Sequence, residues 1–145
     1  MRLFMADGIK VGLGTDVAGG HSASMLDCMR QSLVASRTVG FEHRGKGTNP
    51  KSLGDVQVEY PPMTYHEIFH LATQGSAEAL GMGDVVGNFA AGKALDCLVV
   101  DPCVENSPID VFDNETPLER FQKFLFLGDD RNIVSIFVNG VKLSL

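Results

Sequence analysis

The alternation of apolar and polar residues predicts a short strand near the start of the chain. Apolar residues occupy every second position of Ile9–Gly14, which is the spacing of a β-strand. A helix end at Met1–Asp7 precedes it, and Gly8 supplies the break that is typical of a helix C-terminus. We therefore expect Ile9–Gly14 to form a strand buried on both faces, which ends at Asp16 and a glycine-marked loop.

Apolar residues at helical spacing predict three further helices. The first runs from about Ser24 to Arg37. The second has Thr64 as its N-cap residue, and Glu67 three residues later completes a capping box. The third has the same arrangement, with Thr116 at the N-cap and Glu119 three residues later. Both capping boxes fix where their helices begin.

The remaining segments predict a long loop and a small set of strands. The polar stretch 40–62 is rich in Gly, Pro, Asn and Lys, which favours a surface loop or insertion. A buried strand is expected at Asp96–Asp101, before a proline. Two more strands, Ile133–Phe137 and Val141–Leu143, flank Asn139-Gly140, the dipeptide of a type I′ hairpin turn.

Composition narrows the class of protein without identifying it. The 145 residues carry a formal net charge of −6 and no Lys/Arg block, which argues against a nucleic-acid partner. No run of 18 apolar residues occurs, so no membrane-spanning helix is expected. The three cysteines form no CxxC pair, and free thiols favour a cytoplasmic location.

Asp16 is the main candidate for chemistry, both as a catalytic residue and as a metal ligand. It lies where the first predicted strand turns into a loop, and in parallel α/β folds such strand ends face the ligand cleft. A carboxylate there can bind a divalent metal ion and accept a proton. The alternative is that Asp16 only caps the following turn. His21, in the same loop, either contacts a substrate or serves as an ordinary hydrogen-bonded loop residue.

A second metal motif is present but conflicts with its own context. His66-Glu67-Ile68-Phe69-His70 matches the HExxH zinc motif of metalloproteases. Glu67 is already accounted for by the capping box with Thr64, and a catalytic zinc ion needs a third protein ligand. We therefore expect His66 and His70 to be solvated or partly packed side chains.

Five groups of residues, taken in their order along the chain, carry a resemblance to a known family. They are Gly12–Gly20, Phe69–Thr73 with Ala79–Gly81, Gly87–Phe89 with Gly92, Lys93 and Asp96, Lys123–Leu125 with Gly128–Ile133, and Val138–Gly140. Together they resemble the C-terminal portion of proteins of the amidohydrolase superfamily, most closely the members that deaminate guanine. The resemblance covers nearly the whole chain.

The resemblance implies an α/β fold: the C-terminal part of a metal-dependent (β/α)8 barrel with strands of an accessory β-sandwich domain. Residues 1–82 would supply the last barrel strand and its helices, with 40–62 as a loop insertion. Residues 83–145 would supply the C-terminal strands of the composite sandwich and a helix at 117–127. The family is also expected to form homodimers.

The implied reaction is hydrolysis of guanine to xanthine and ammonia in purine catabolism, by attack of a hydroxide activated by one Zn²⁺ per subunit. Asp16 carries over as a zinc ligand and as the base that accepts the proton of the water. The HxH pair that supplies further ligands in the family is absent from this sequence, and none of the four histidines (His21, His43, His66, His70) matches a ligand position. One carboxylate cannot hold a catalytic zinc ion, so the chain alone is expected to be inactive. The alternative is a non-catalytic truncated isoform or binding module that associates with a full-length amidohydrolase subunit.

Overall fold

The computed structural model describes residues 1–45 and 60–144, the side chains of 42–45 excepted. In chain order the elements are α1 (Arg2–Ala6), α2 (Met25–Gly45), α3 (Tyr65–Ala72), α4 (Gln74–Ala79), β1 (Cys97–Val100), α5 (Pro117–Leu127), a 3₁₀ turn (Asp130–Asn132), β2 (Ile133–Val138) and β3 (Val141–Leu143). This mixture of helices and a three-stranded sheet is an α/β arrangement. None of the helices in the described ranges is long and apolar enough to cross a membrane.

Both predicted capping boxes are confirmed. The Thr64 hydroxyl accepts from the Glu67 amide at 3.3 Å, while Glu67 Oε2 accepts from the Thr64 amide at 2.7 Å. At the start of α5, Thr116 and Glu119 repeat the exchange at 3.3 Å and 2.7 Å. Each box satisfies two backbone amides at the start of its helix, using side chains only three residues apart. These helix starts could therefore be predicted from local sequence.

Helix α2 extends beyond its predicted end, so the prediction of a loop from residue 40 is wrong over 40–45. Gly40 is buried within the helix, and a Cβ atom there would lie 3.0 Å from Pro62 Cγ. The glycine therefore allows Pro62, at the far end of the predicted loop, to lie close against α2. Residues 46–59 of the predicted loop lie outside the described part of the chain.

The hydrophobic core joins three helices. Among the described residues, its buried members come from α2, from α3 and the segment just before it, and from α5: Met29, Leu33, Met63, Ile68, Leu71 and Leu125. Met63 and Ile68 occupy the two positions of a hydrophobic staple around the N-terminus of α3, and they are only 3% and 0% exposed. The buried Ser36 hydroxyl accepts a 2.8 Å hydrogen bond from the Met63 amide. The entry of the chain into α3 is thus fixed by both apolar and polar contacts.

A charged side chain fastens α5 to this core. Arg30 of α2 donates from Nε to the Leu125 carbonyl at 2.8 Å and from Nη2 to the Gly128 carbonyl at 2.5 Å. Carbonyl groups at a helix C-terminus lack helical partners and favour a nearby positive charge. Arg30 therefore satisfies the C-terminal end of α5 while joining it to α2.

The sheet has the antiparallel order β1-β2-β3. Leu98 pairs with Ile136, which in turn pairs with Leu143 on the other side. The turn between β2 and β3 has positive φ at Asn139 (49°) and Gly140 (78°), as a type I′ turn requires. The predicted hairpin is confirmed.

The prediction that the strand before Pro102 is buried is wrong for the described residues. The strand forms at Cys97–Val100, but Leu98 and Val99 are 52% and 44% exposed. The apolar run favours a strand because β-branched and aliphatic residues suit a pleated surface. Burial additionally requires an opposing layer, and because Leu98 and Val99 point to opposite faces of the sheet, their exposure shows that the described residues fully cover neither face of β1.

The predicted strand Ile9–Gly14 is also wrong as a strand buried on both faces. The segment pairs with no strand among the described residues, and Ile9 is 53% exposed. Its alternation nevertheless has a structural counterpart, because Val11 and Leu13 pack partly buried against the core. A strand assignment needs a hydrogen-bonded neighbour, and here the backbone of Leu13 bonds to the α3–α4 region instead.

Candidate metal centre at Asp16

Asp16 lies in a tight loop at the end of this extended segment. Its φ angle is +50°, in the left-handed region that short polar residues tolerate better than most. The Gly20 amide donates to the Asp16 carbonyl and closes the loop. A Cβ atom on Gly19 would lie 2.8 Å from Asp16 Oδ2, so the loop packs directly against the carboxylate. Asp16 remains exposed, and its carboxylate is accessible to a ligand.

The segment before Asp16 is held by the junction between α3 and α4. The Leu13 amide donates to the Leu71 carbonyl at 3.0 Å and to Ser76 Oγ at 3.1 Å. The Ser76 hydroxyl also lies 3.1 Å from the Leu13 carbonyl oxygen and 2.7 Å from that of Leu71. The contacts of Ser76 with Leu13 could not be predicted from the sequence. The available signal was its position beside Gly75, where the apolar helix pattern is interrupted.

Two glycines allow this close approach. A Cβ atom on Gly12 would lie 2.7 Å from both Cα and Oγ of Ser76, a distance that side chains do not adopt. A Cβ atom on Gly75 would lie 3.0 Å from the Val11 carbonyl oxygen. The extended segment and the start of α4 are therefore in close contact. A Cβ atom at position 12 would force them apart, and one at position 75 would fit only with a small shift of its neighbours.

On its other side the loop borders an open cavity of about 280 Å³. The cavity is lined by Gly14, Thr15, His21, Ser22, Cys28, Gln31, Ser32 and Ala35. The Cys28 thiol donates to the Gly14 carbonyl at 3.3 Å, and His21 Nε2 lies 3.1 Å from Asp27 Oδ2. His21 thus lines the cavity next to the Asp16 loop but has its hydrogen bond with Asp27.

Asp16 fits a zinc site as one ligand of several. Carboxylate oxygen is an accepted zinc donor, but a catalytic site uses three protein ligands. Within the ranges that the structure describes, no three His, Cys, Asp or Glu side chains are grouped so that they could hold a metal ion. The exposed carboxylate of Asp16 is compatible with a metal ion whose other ligands come from outside these ranges.

The HExxH sequence has a different role in the structure. Arg2 donates to Glu67 Oε1 at 2.8 Å and to Oε2 at 2.9 Å, and Thr64 occupies Oε2 as well. His66 and His70 are exposed, and the His66 ring packs 3.9 Å from the Tyr65 ring. Glu67 is therefore a helix cap and ion-pair partner rather than a free base.

The pKa of Glu67 gives a testable consequence of this role. Burial alone would raise the pKa, but hydrogen bonds from the Thr64 backbone and from Arg2 outweigh it and hold the pKa of Glu67 below its ordinary value of 4.5. A carboxyl group with a lowered folded-state pKa stabilises the fold fully above its unfolded value, and the effect is lost as pH falls through the folded value. We expect Glu67→Gln to lower the melting temperature at pH 7 and to weaken its decline below about pH 4.5. Thermal unfolding from pH 3 to 7 checks this, and unchanged melting curves at every pH would argue against the role.

The C-terminal motif Gly128–Ile133 is structural. The Asn132 side chain is fully buried and donates to the Asp101 carbonyl at 3.1 Å and to Ser107 Oγ at 3.0 Å. Arg131 pairs with Asp129 at 2.6 Å. These contacts hold the turn before β2 in place and provide no chemistry near Asp16.

Comparison with known proteins agrees with the fold. Residues 1–143 match the amidohydrolase family, and the chain belongs to that family. It is 38% identical to a guanine deaminase of Dictyostelium discoideum over 143 residues, covering 99% of this chain and 29% of that protein. It is 41% identical to the human guanine deaminase over 136 residues, covering 91% of this chain and 27% of the relative.

Solved structures give the same result. The chain superposes with a TM-score of 0.75 on the crystal structure of guanine deaminase from C. acetobutylicum with bound guanine in the active site. The two are 26% identical, and the match covers 99% of this chain and 29% of that one. The chain therefore spans less than a third of the length of the relatives described here.

Proposed function

We propose that this chain is the C-terminal part of a zinc-dependent guanine deaminase and that Asp16 is its metal-binding carboxylate. The observation that carries the proposal is the 38% identity over 99% of the chain to a guanine deaminase. The structure supports it by holding an exposed carboxylate at the end of a firmly anchored segment.

The proposed reaction converts guanine and water into xanthine and ammonia. Zinc, when bound, lowers the pKa of a water molecule towards about 7. Asp16 would help to hold the metal ion, and its carboxylate would accept a proton from the attacking water. The remaining ligands would be histidines from outside the described residues, because no three His, Cys, Asp or Glu side chains among the described residues are grouped so that they could hold a metal ion.

The domain organisation is part of the proposal. Residues 1–82 would complete the barrel, and 83–145 would contribute strands to a composite β-sandwich. The exposed apolar residues on one face of the sheet support the second assignment, since such a face normally packs against another layer. They include Leu98, Val134, Val138, Val141 and Leu143, which are 41–64% exposed. Helix α5 nevertheless packs against residues 1–82, because its Leu125 belongs to the buried cluster formed with α2 and α3.

The cellular setting that we propose is purine catabolism in the cytoplasm by a homodimer. The three free cysteines support a reducing compartment, where thiols persist unpaired. The homodimer follows from the family resemblance. Sedimentation of the complete enzyme would measure its oligomeric state.

A comparison of the complete enzyme with the isolated chain tests the proposal. We expect zinc-dependent release of xanthine from guanine by the complete enzyme and none by the purified 145 residues, because one carboxylate cannot hold a catalytic zinc ion. Xanthine release by the chain alone, or its absence from the zinc-loaded complete enzyme, would refute the proposal. If the chain copurifies with a full-length amidohydrolase without contributing to activity, it is a binding module instead.

A further inference from the structure

We propose that Ser76 is a positioning residue for Asp16, because its hydroxyl group fixes the main chain three residues before the metal-binding carboxylate. The inference rests on the proposed role of Asp16 and adds to it. It concerns a side chain on α4, 63 residues along the sequence from the amide that it binds.

One hydroxyl group serves both main-chain polar groups of Leu13. Ser76 Oγ lies 3.1 Å from the Leu13 amide nitrogen and 3.1 Å from its carbonyl oxygen. A hydroxyl group can accept and donate at once, so Ser76 accepts from the Leu13 amide while its single proton is shared between the Leu13 carbonyl and the closer Leu71 carbonyl, 2.7 Å away. Leu71 contributes a second acceptor for the same amide. This junction of α3 and α4 therefore sets the position of Leu13.

The path from Leu13 to Asp16 is short and restrained at further points. The Gly14 carbonyl accepts from the Cys28 thiol of α2, so the segment is fixed between α2 and α4. The Asp16 loop is then closed by the Gly20 amide. Because few free bonds separate the anchor from the carboxylate, a shift of Leu13 would be transmitted to Asp16.

Alanine at position 76 would weaken the anchor without creating a large cavity. The Leu13 carbonyl would lose its hydroxyl donor, and the Leu13 amide would keep only Leu71 as acceptor. Loss of a group that orients a metal ligand typically costs about 10–100-fold in metal affinity or activity. We expect a loss of that size in zinc affinity, although Ser76 does not touch the Asp16 carboxylate.

The test compares three variants of the complete enzyme. Ser76→Ala is expected to weaken zinc binding about 10-fold and to lower kcat about 10-fold, with KM for guanine nearly unchanged. Ser76→Cys keeps a weak donor and acceptor and is expected to lie between wild type and Ser76→Ala. The matched control is Thr73→Ala, which removes a hydroxyl group from the same junction. The Thr73 hydroxyl donates to the Phe69 carbonyl at 2.8 Å and does not reach Leu13.

Zinc affinity is measured by chelator competition, alongside kcat, KM and the melting temperature. The proposal holds if zinc affinity and kcat decline from wild type through Ser76→Cys to Ser76→Ala while Thr73→Ala retains both. It fails if Ser76→Ala binds zinc like wild type, or if Thr73→Ala loses as much affinity. Asp16→Asn separates the two proposals: if it is impaired and Ser76→Ala is not, only the positioning role fails. If Asp16→Asn is fully active, the role of Asp16 itself fails.

Discussion

Asp16→Asn is expected to lower kcat of the complete enzyme for guanine by about 10²–10⁴-fold, the usual contribution of a positioned acid–base group. Asparagine preserves the size of the side chain but removes the negative charge and the ability to accept a proton at neutral pH. The backbone of the loop is retained, because asparagine also tolerates the positive φ of this position. Steady-state ammonia release and zinc content per subunit are the measurements.

The control for this variant is Asp84→Asn, which changes the charge in the same way at an exposed position. We expect it to retain wild-type kcat and zinc content. If Asp16→Asn behaves like this control, Asp16 is only a turn residue, which is the alternative that the sequence left open.

Ile68→Ala is expected to destabilise the protein by about 2–5 kcal/mol, the range for truncation of a large aliphatic side chain in a core. Ile68 is 0% exposed and belongs to the cluster that joins α2, α3 and α5. Its loss would leave a cavity at the N-terminus of α3, where Met63 forms the other half of the staple. Urea unfolding measures the change.

Leu80→Ala is the matched control, since Leu80 is 76% exposed at the end of α4. A surface truncation of this kind usually changes stability by no more than about 0.5 kcal/mol. Equal losses in the two variants would contradict the described core.

Local sequence was sufficient where the determining contacts are local. The capping boxes at Thr64 and Thr116 lie within four residues, and the hairpin turn needs only Asn139 and Gly140. In each case the residue types satisfy backbone groups or adopt positive φ without help from distant parts of the chain. These features could therefore be predicted from the sequence.

Features that depend on distant contacts could not be read correctly. Helix α2 continues past Arg37, and Gly40 within it lies against Pro62, which is at the far end of the predicted loop. The apolar pattern of β1 indicated a buried strand, but burial depends on an opposing layer that the described residues lack. The same reasoning explains why Ile9–Gly14 alternates like a strand without being paired as one.

The candidate site contains one residue that the sequence could indicate and one that it could not. Asp16 could be proposed from its position at the end of an alternating segment, before a glycine-marked loop. Ser76 could not, because its contacts with Leu13 cross 63 positions and its own neighbours suggest only a helix start. The HExxH sequence matches a metal motif locally, but a distant contact gives Glu67 a different role. Arg2, 65 positions away, donates to both of its carboxylate oxygens.

Anomalous diffraction from crystals of the complete, zinc-loaded enzyme would locate the metal ion. It would show whether Asp16 binds zinc. We predict one zinc ion per subunit with a carboxylate oxygen of Asp16 at about 2.0–2.2 Å and histidine nitrogens from outside the described residues as further ligands. A zinc ion bound away from Asp16, for example by His66 and His70, would refute the proposal that Asp16 is a metal ligand.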